Sequence, residues 1–156
     1  MKDVVVPRFG ELLAEHLQGV PPEAYPYLLS ELERTAADRY RGWAGQLPEQ
    51  ADALLGCAAA EDEIADRVAA LFPPSDAHRA LVAEIVPRAK DVYYAAFDGF
   101  SVREQLFIQA AAERQGAEAW QRLKAAHPEH AAALDALSEL ERGSADVVDA
   151  LLAAQA

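Results

Sequence analysis

Four glutamates carry the chemistry this chain can offer. Glu33 lies four residues after Leu29 and seven before Tyr40, and Glu61 lies seven after Leu54, four after Cys57 and seven before Val68. Glu113 is seven after Leu106 and seven before Trp120, while Glu141 is seven after Leu134, four after Leu137 and seven before Val148. At 3.6 residues per turn this register places all four on the apolar stripes and turns them inward. A carboxylate buried without a partner costs several kcal/mol even after relaxation. Four facing one core therefore need protons, guanidinium partners or cations. Oxygen ligands from four helices around a bundle axis are able to hold two divalent ions.

The glutamates are positioned by a duplication. Leu32 to Phe72 set against Ala112 to Leu152, without a gap, gives 14 identities in 41 positions, at a constant offset of 80 residues. The matched pairs include Glu33 with Glu113, Arg34 with Arg114, Pro48 with Pro128, Leu54 with Leu134, Glu61 with Glu141 and Val68 with Val148. A unit seen twice predicts a pseudo-twofold domain, since a solenoid needs three or more units to bury its faces.

Alanine, leucine, glutamate and arginine dominate, β-branched residues are few, and Gly and Pro fall at the ends of periodic segments, which predicts an all-α domain over residues 1–156. The first core helix is expected from Tyr25 to Gln46. The second opens near Pro48 and stops at Pro73-Pro74, the third starts at Ser101 with the Ser101/Glu104 spacing of a capping box, and the fourth opens at Pro128. The hairpin repeats thus span about 25–73 and 101–156. Between them, 74–100 forms a crossover with its own periodic segment, Ala77 to Phe97, which Pro87 is expected to end or kink. Arg8 to Gln18 reads as a short amphipathic helix packed on the bundle. Short loops within hairpins and one long connection between them is the wiring of four-helix bundles with a single crossover.

The pattern Glu33-x6-Tyr40, Leu54-x6-Glu61-x2-Ile64-Ala65, Glu113-x6-Trp120 and Glu141-x2-Ser144-Ala145 resembles the ferritin-like superfamily, rubrerythrins in particular, over about 100 residues of the four core helices. The resemblance implies a ferritin-like bundle with a dinuclear Fe or Mn centre that reacts with oxygen or peroxide. In it Glu33 and Glu113 would be terminal ligands and Glu61 and Glu141 bridges. Those relatives carry Glu-x-x-His on the second helix and usually on the fourth; here Ile64 and Ser144 stand at the two histidine positions. A carboxylate-only set weakens the hold on iron and shifts preference towards Mn or Mg.

A different class of function is open beside this one: a metal-free bundle, scaffold or homodimer that binds a partner or small apolar ligand, its glutamates neutralised by arginine and by protonation. Arg34, Arg114, Arg67, Arg103 and Arg142 are the arginines near enough in sequence to serve. His16, His78, His127 and His130 all fall towards bundle ends, with His130 the nearest spare ligand. Tyr40 and Trp120, each seven residues after a glutamate, are placed to pack in the core and to hydrogen-bond a carboxylate. Cys57 matches Leu137 across the repeat and reads as a core residue. Tyr93, Tyr94, Phe97 and Phe100 form an aromatic group that closes a core or lines a pocket.

The net charge of −12 disfavours nucleic acid and anionic lipid as partners. No run of 18 apolar residues marks a membrane span, a single cysteine makes no internal disulfide, and no signal-peptide pattern opens the chain, so a cytoplasmic location is expected. Gly-rich phosphate loops, paired-Cys zinc spacing and a nucleophile triad are missing, and no catalytic residue is assigned.

Overall fold

Proline and serine set the helix starts. In the computed structural model, which describes residues 3–155, six α-helices follow one another: α1 (Phe9–Ala14), α2 (Tyr25–Gln46), α3 (Ala51–Leu71), α4 (Asp76–Ala95), α5 (Val102–Ala126) and α6 (Ala131–Ala154). No strand occurs among the described residues. Ser101 caps α5: its Oγ accepts from the Glu104 N–H while Glu104 Oε2 accepts from the Ser101 N–H at 2.8 Å, the reciprocal box its spacing predicts. Ser75 caps α4 by accepting from the His78 N–H at 3.1 Å.

The duplication reaches the backbone. Pro48–Gln50 and Pro128–His130 form matching 3₁₀ turns between the helices of each hairpin, a place where proline's fixed φ and missing N–H cost nothing. The residues before them, Leu47 (φ −126°, ψ 71°) and His127 (φ −132°, ψ 65°), share one conformation. Helix α2 packs along α3 and α5 along α6, and the two hairpins meet chiefly through α3 and α6. Helix α4 lies against α2, and α1 touches both α4 and α5.

Local structure departs from expectation at two places. Of the end or kink expected at Pro87, the end does not occur: helix α4 runs through it to Ala95. Val82 and Ala89, on either side of Pro87, are both buried against Leu13, Leu17 and Leu28, and this packing holds the two halves helical where local propensity alone would break them. The leading helix covers six residues and not the span to Gln18: the chain leaves the α-helix after Ala14, and Gly19 at φ 87° with Pro21-Pro22 keeps it from resuming before the next element.

The core is divided across its length. Tyr40, Trp43, Leu54, Leu106, Ile108, Val148 and Leu152 form one apolar cluster, and Ile64, Val68, Trp120, Leu134 and Leu137 another. Along α3 the order is Leu54, Glu61, Val68, and along α6 it is Leu134, Glu141, Val148, so each helix leaves one cluster and enters the other at a glutamate. The four glutamates form a polar layer between two dry halves.

Candidate metal centre

Helical register puts the carboxyl groups together. Glu61, Glu113 and Glu141 are buried and Glu33 is half-buried, and carboxylate oxygens of Glu33, Glu61 and Glu141 lie within 4.8 Å of one another. Glu113 stands beside this trio in hydrogen-bond contact with Glu141, its Oε1 accepting from Tyr40 Oη at 2.6 Å and from Gln109 Nε2 at 2.7 Å. Tyr93 Oη in turn donates to Gln109 Oε1 at 2.6 Å, which fixes the amide's orientation. Glu141 Oε1 accepts from the Trp120 indole N–H at 2.7 Å. Glu61 has nothing comparable: among the described residues neither of its oxygens has a donor, and Glu113 Oε2 has none either.

Burial sets the protonation. It pushes Glu33 up to about 7, with the charge of Glu113 adding to the rise and hydrogen bonding to Glu61 opposing it. Burial first, and then the neighbouring carboxylates, carry Glu61 and Glu141 well above the ordinary carboxylate range. Without a cation, burial and the neighbouring carboxylates favour the protonated forms of Glu33, Glu61 and Glu141.

Space is reserved for one of these groups. A Cβ built on Gly116 would stand 2.6 Å from Glu141 Oε1 and 2.8 Å from its Cδ. Glycine in mid-helix costs roughly 0.5–1 kcal/mol relative to alanine, and here it makes the hollow that the Glu141 carboxyl occupies. A cavity of about 840 Å³ opens onto all four glutamates. Its walls come from α1, α2 and α5, with Leu13, Leu17, Leu29, Leu32, Ala119 and Leu123 among them.

Four of the five arginines expected to supply counter-charge turn outward, and Arg103 is half-buried without an ion pair among the described residues. Arg34 pairs with Asp66 at 2.6 Å and with Asp62, Arg114 with Asp149 at 2.5 Å, Arg67 with Glu63 and Arg142 with Glu139, and these four side chains are 41–48% exposed. Arg34 and Arg114 follow Glu33 and Glu113 directly, so each projects about 100° around its helix, onto aspartates of the neighbouring helix. Among the described residues no Lys, Arg or His lies within 4 Å of the four carboxylates. His127 and His130 pack their rings against Phe72, 4.9 and 5.2 Å between centroids, where α5 turns into α6. The positions after Glu61 and Glu141 hold Ile64, fully buried, and Ser144, neither of which joins the cluster.

Tyr40 and Trp120 do what their spacing predicts, but not symmetrically: Tyr40 crosses to the other hairpin's Glu113, whereas Trp120 stays with Glu141. Cys57 is buried, its thiol pushed up to about 11 by burial and the nearby Glu113 charge, which makes it an inert core residue. Of the aromatic group, Tyr93 and Phe97 pack with Phe9 and Trp43, and Tyr93 also lines the cavity. Gln109, Tyr93 and Gly116 are site residues that the glutamate pattern does not announce. A polar Gln109 four residues before Glu113 on the same stripe is the available signal for the first of them.

No protein-family model matches the chain, and neither a curated protein nor a solved structure does.

Proposed function

We propose that the polar layer is a carboxylate-only divalent-cation centre, held by Glu33, Glu61 and Glu141 with Glu113 at its side, in a bundle wired like the ferritin-like proteins. The single observation that carries this is Glu61: a fully buried carboxyl set within 4.8 Å of two more, with neither a donor to its oxygens nor a basic side chain within 4 Å among the described residues. An ion supplies the positive charge that the chain withholds. The duplicated hairpins and the α4 crossover support the ferritin-like assignment. All-oxygen donors suit Mn or Mg better than Fe, which draws more on imidazole.

The chain's own residues orient the ligands. Tyr40 and Gln109 hold Glu113, Trp120 holds Glu141, and Glu33 stands half-buried at the cavity. A redox-active ion bound there would supply electrons for reaction with oxygen or peroxide, and a redox-inert one would make the protein a metal-binding or storage protein. One observation favours a second reading: burial raises Glu33, Glu61 and Glu141 towards their neutral, protonated forms, which suits a metal-free bundle that binds a ligand or partner.

Elemental analysis separates the two. Protein incubated anaerobically with Fe(II) or Mn(II) and then desalted is expected to retain one to two ions per chain, and Glu61→Gln none. Stoichiometry near zero with both metals in the wild type would overturn the cation centre.

A further inference from the structure

The cavity is larger than a path for oxygen or peroxide requires. At about 840 Å³ it falls in the roughly 300–1,000 Å³ range of small-molecule sites, and its chemistry is divided along its depth. Its edge carries the exposed charged residues Arg8, Glu11, Glu118 and Arg122; its walls are leucine and alanine from α1, α2 and α5; its floor is the four glutamates. Such an arrangement binds a molecule with an apolar tail along the walls and a polar head at the floor.

The floor selects the head. Three buried carboxyl oxygens there lack a donor: Glu61 Oε1, Glu61 Oε2 and Glu113 Oε2. A carboxylate or phosphate head would add acceptors to a site that already has an excess of them and would set a negative charge beside carboxyls that ionise only against burial, and a hydroxyl would satisfy one oxygen and neutralise nothing. A primary ammonium brings three N–H donors and one positive charge. We propose that the cavity is a binding site for a long-chain aliphatic primary amine, its ammonium head seated on Glu61 and Glu113 and its hydrocarbon tail along Leu13, Leu29, Leu32 and Leu123. The inference rests on the cavity and the donorless oxygens. It touches the metal reading at one point: amine and metal would compete for the same carboxyls.

The test is calorimetric titration of the metal-stripped, full-length protein at pH 7 with decylamine, decanol, decanoate and butylamine. Decylamine is expected to bind one to one, at least tenfold tighter than decanol or decanoate. Butylamine is expected to bind at least 100-fold more weakly, since each buried methylene contributes about fourfold. Saturating Mn(II) should weaken decylamine binding. Ala119→Trp narrows the apolar wall without touching a carboxyl and is expected to abolish decylamine binding while leaving Mn(II) uptake unchanged; Ala112→Leu, a smaller intrusion on the same wall, should weaken it tenfold or more. Decanol binding as tightly as decylamine, butylamine matching it, or no binding by any of the four would overturn the proposal, as would Ala119→Trp and Ala112→Leu both binding decylamine like the wild type. Mn(II) uptake with no amine binding removes this inference alone, and amine binding with no metal uptake removes the cation centre alone.

Discussion

The two hairpins match in sequence at 14 of 41 positions, yet they treat their glutamates differently. In the second hairpin Gln109 donates to Glu113, Trp120 donates to Glu141, and Gly116 makes room for the Glu141 carboxyl. The matching positions in the first are Leu29, Tyr40 and Ala36, and Tyr40 donates across to Glu113. All four internal donors therefore serve the second hairpin's glutamates or one another, and Glu61 and Glu33 receive none from outside the carboxyl cluster. One half of the layer is solvated by the protein and the other is left for something else to satisfy. Duplication alone would give a symmetric site; the asymmetry locates the unmet demand at Glu61.

The sharpest way to break this comparison is to remove the acceptor in each half. Glu113→Leu strands the Tyr40 hydroxyl and the Gln109 amide in the core, and at about 1–3 kcal/mol for each orphaned group it is expected to destabilise metal-free protein by about 3 kcal/mol in denaturant unfolding. Glu61→Leu strands no outside donor and removes a desolvated acid. At pH 8 it is expected to leave stability unchanged or raise it by about 1–3 kcal/mol, and to abolish Mn(II) uptake. Equal losses in the two variants would show that the halves are alike.

The pH dependence comes next in size. A carboxyl whose folded value is raised holds its proton where the unfolded chain has released it, so its stabilising contribution is full below about pH 4.5 and is lost as pH rises through the folded value. For Glu33, raised to about 7, that window is pH 4.5 to 7, and Glu61 and Glu141 extend it upward. The groups facing them are Glu113 and the neutral donors Tyr40, Gln109 and Trp120. Metal-free protein is expected to lose roughly 2–3 kcal/mol between pH 5 and 8 from Glu33 alone, allowing for its partial exposure. Bound Mn(II), which needs the ionised form, should flatten or reverse that slope. A metal-free melting temperature that rises over this range would contradict the buried acid cluster.

Gly116→Ala and Ala36→Gly probe the hollow itself. The new Cβ at position 116 displaces the Glu141 carboxyl from Trp120, a loss of about 1 kcal/mol that the better helix propensity of alanine nearly offsets. Stability near the wild type with metal uptake reduced tenfold or more is the expected result. Ala36→Gly is expected to cost about 1 kcal/mol by propensity and to leave uptake alone. The smallest effect belongs to the periphery: His130→Ala is expected to leave metal content unchanged by elemental analysis, since its ring lies against Phe72 and not the carboxyls.

Much of this was legible in the chain. The 80-residue offset, the prolines and the Ser101/Glu104 pair give the helices and the hairpin turns, because capping and φ restriction are local. The inward register of the four glutamates is equally local. Which partner each glutamate finds is not: Arg34 and Arg114 are adjacent in sequence yet answer to aspartates on the next helix, and Tyr40 bonds a residue 73 positions away. Pro87 passed within α4 for the same reason, packing from α1 and α2 outweighing a local signal. The cavity depends on how α2 and α5 stand relative to α1, and in the sequence only Tyr93, in the aromatic group, pointed to it.

The measurement that tests the central claim most directly is thermal unfolding at pH 8 of the chelator-treated wild type and Glu61→Leu, each with and without Mn(II). The account predicts a wild type that gains about 2.7 kcal/mol, several degrees, once Mn(II) is about 100 times its dissociation constant. It predicts a variant that matches or exceeds the metal-free wild type and ignores the metal. A wild type indifferent to Mn(II), together with a variant that melts well below it, would mean that the core already satisfies Glu61 from within, and would contradict the claim that its counter-charge comes from outside the chain.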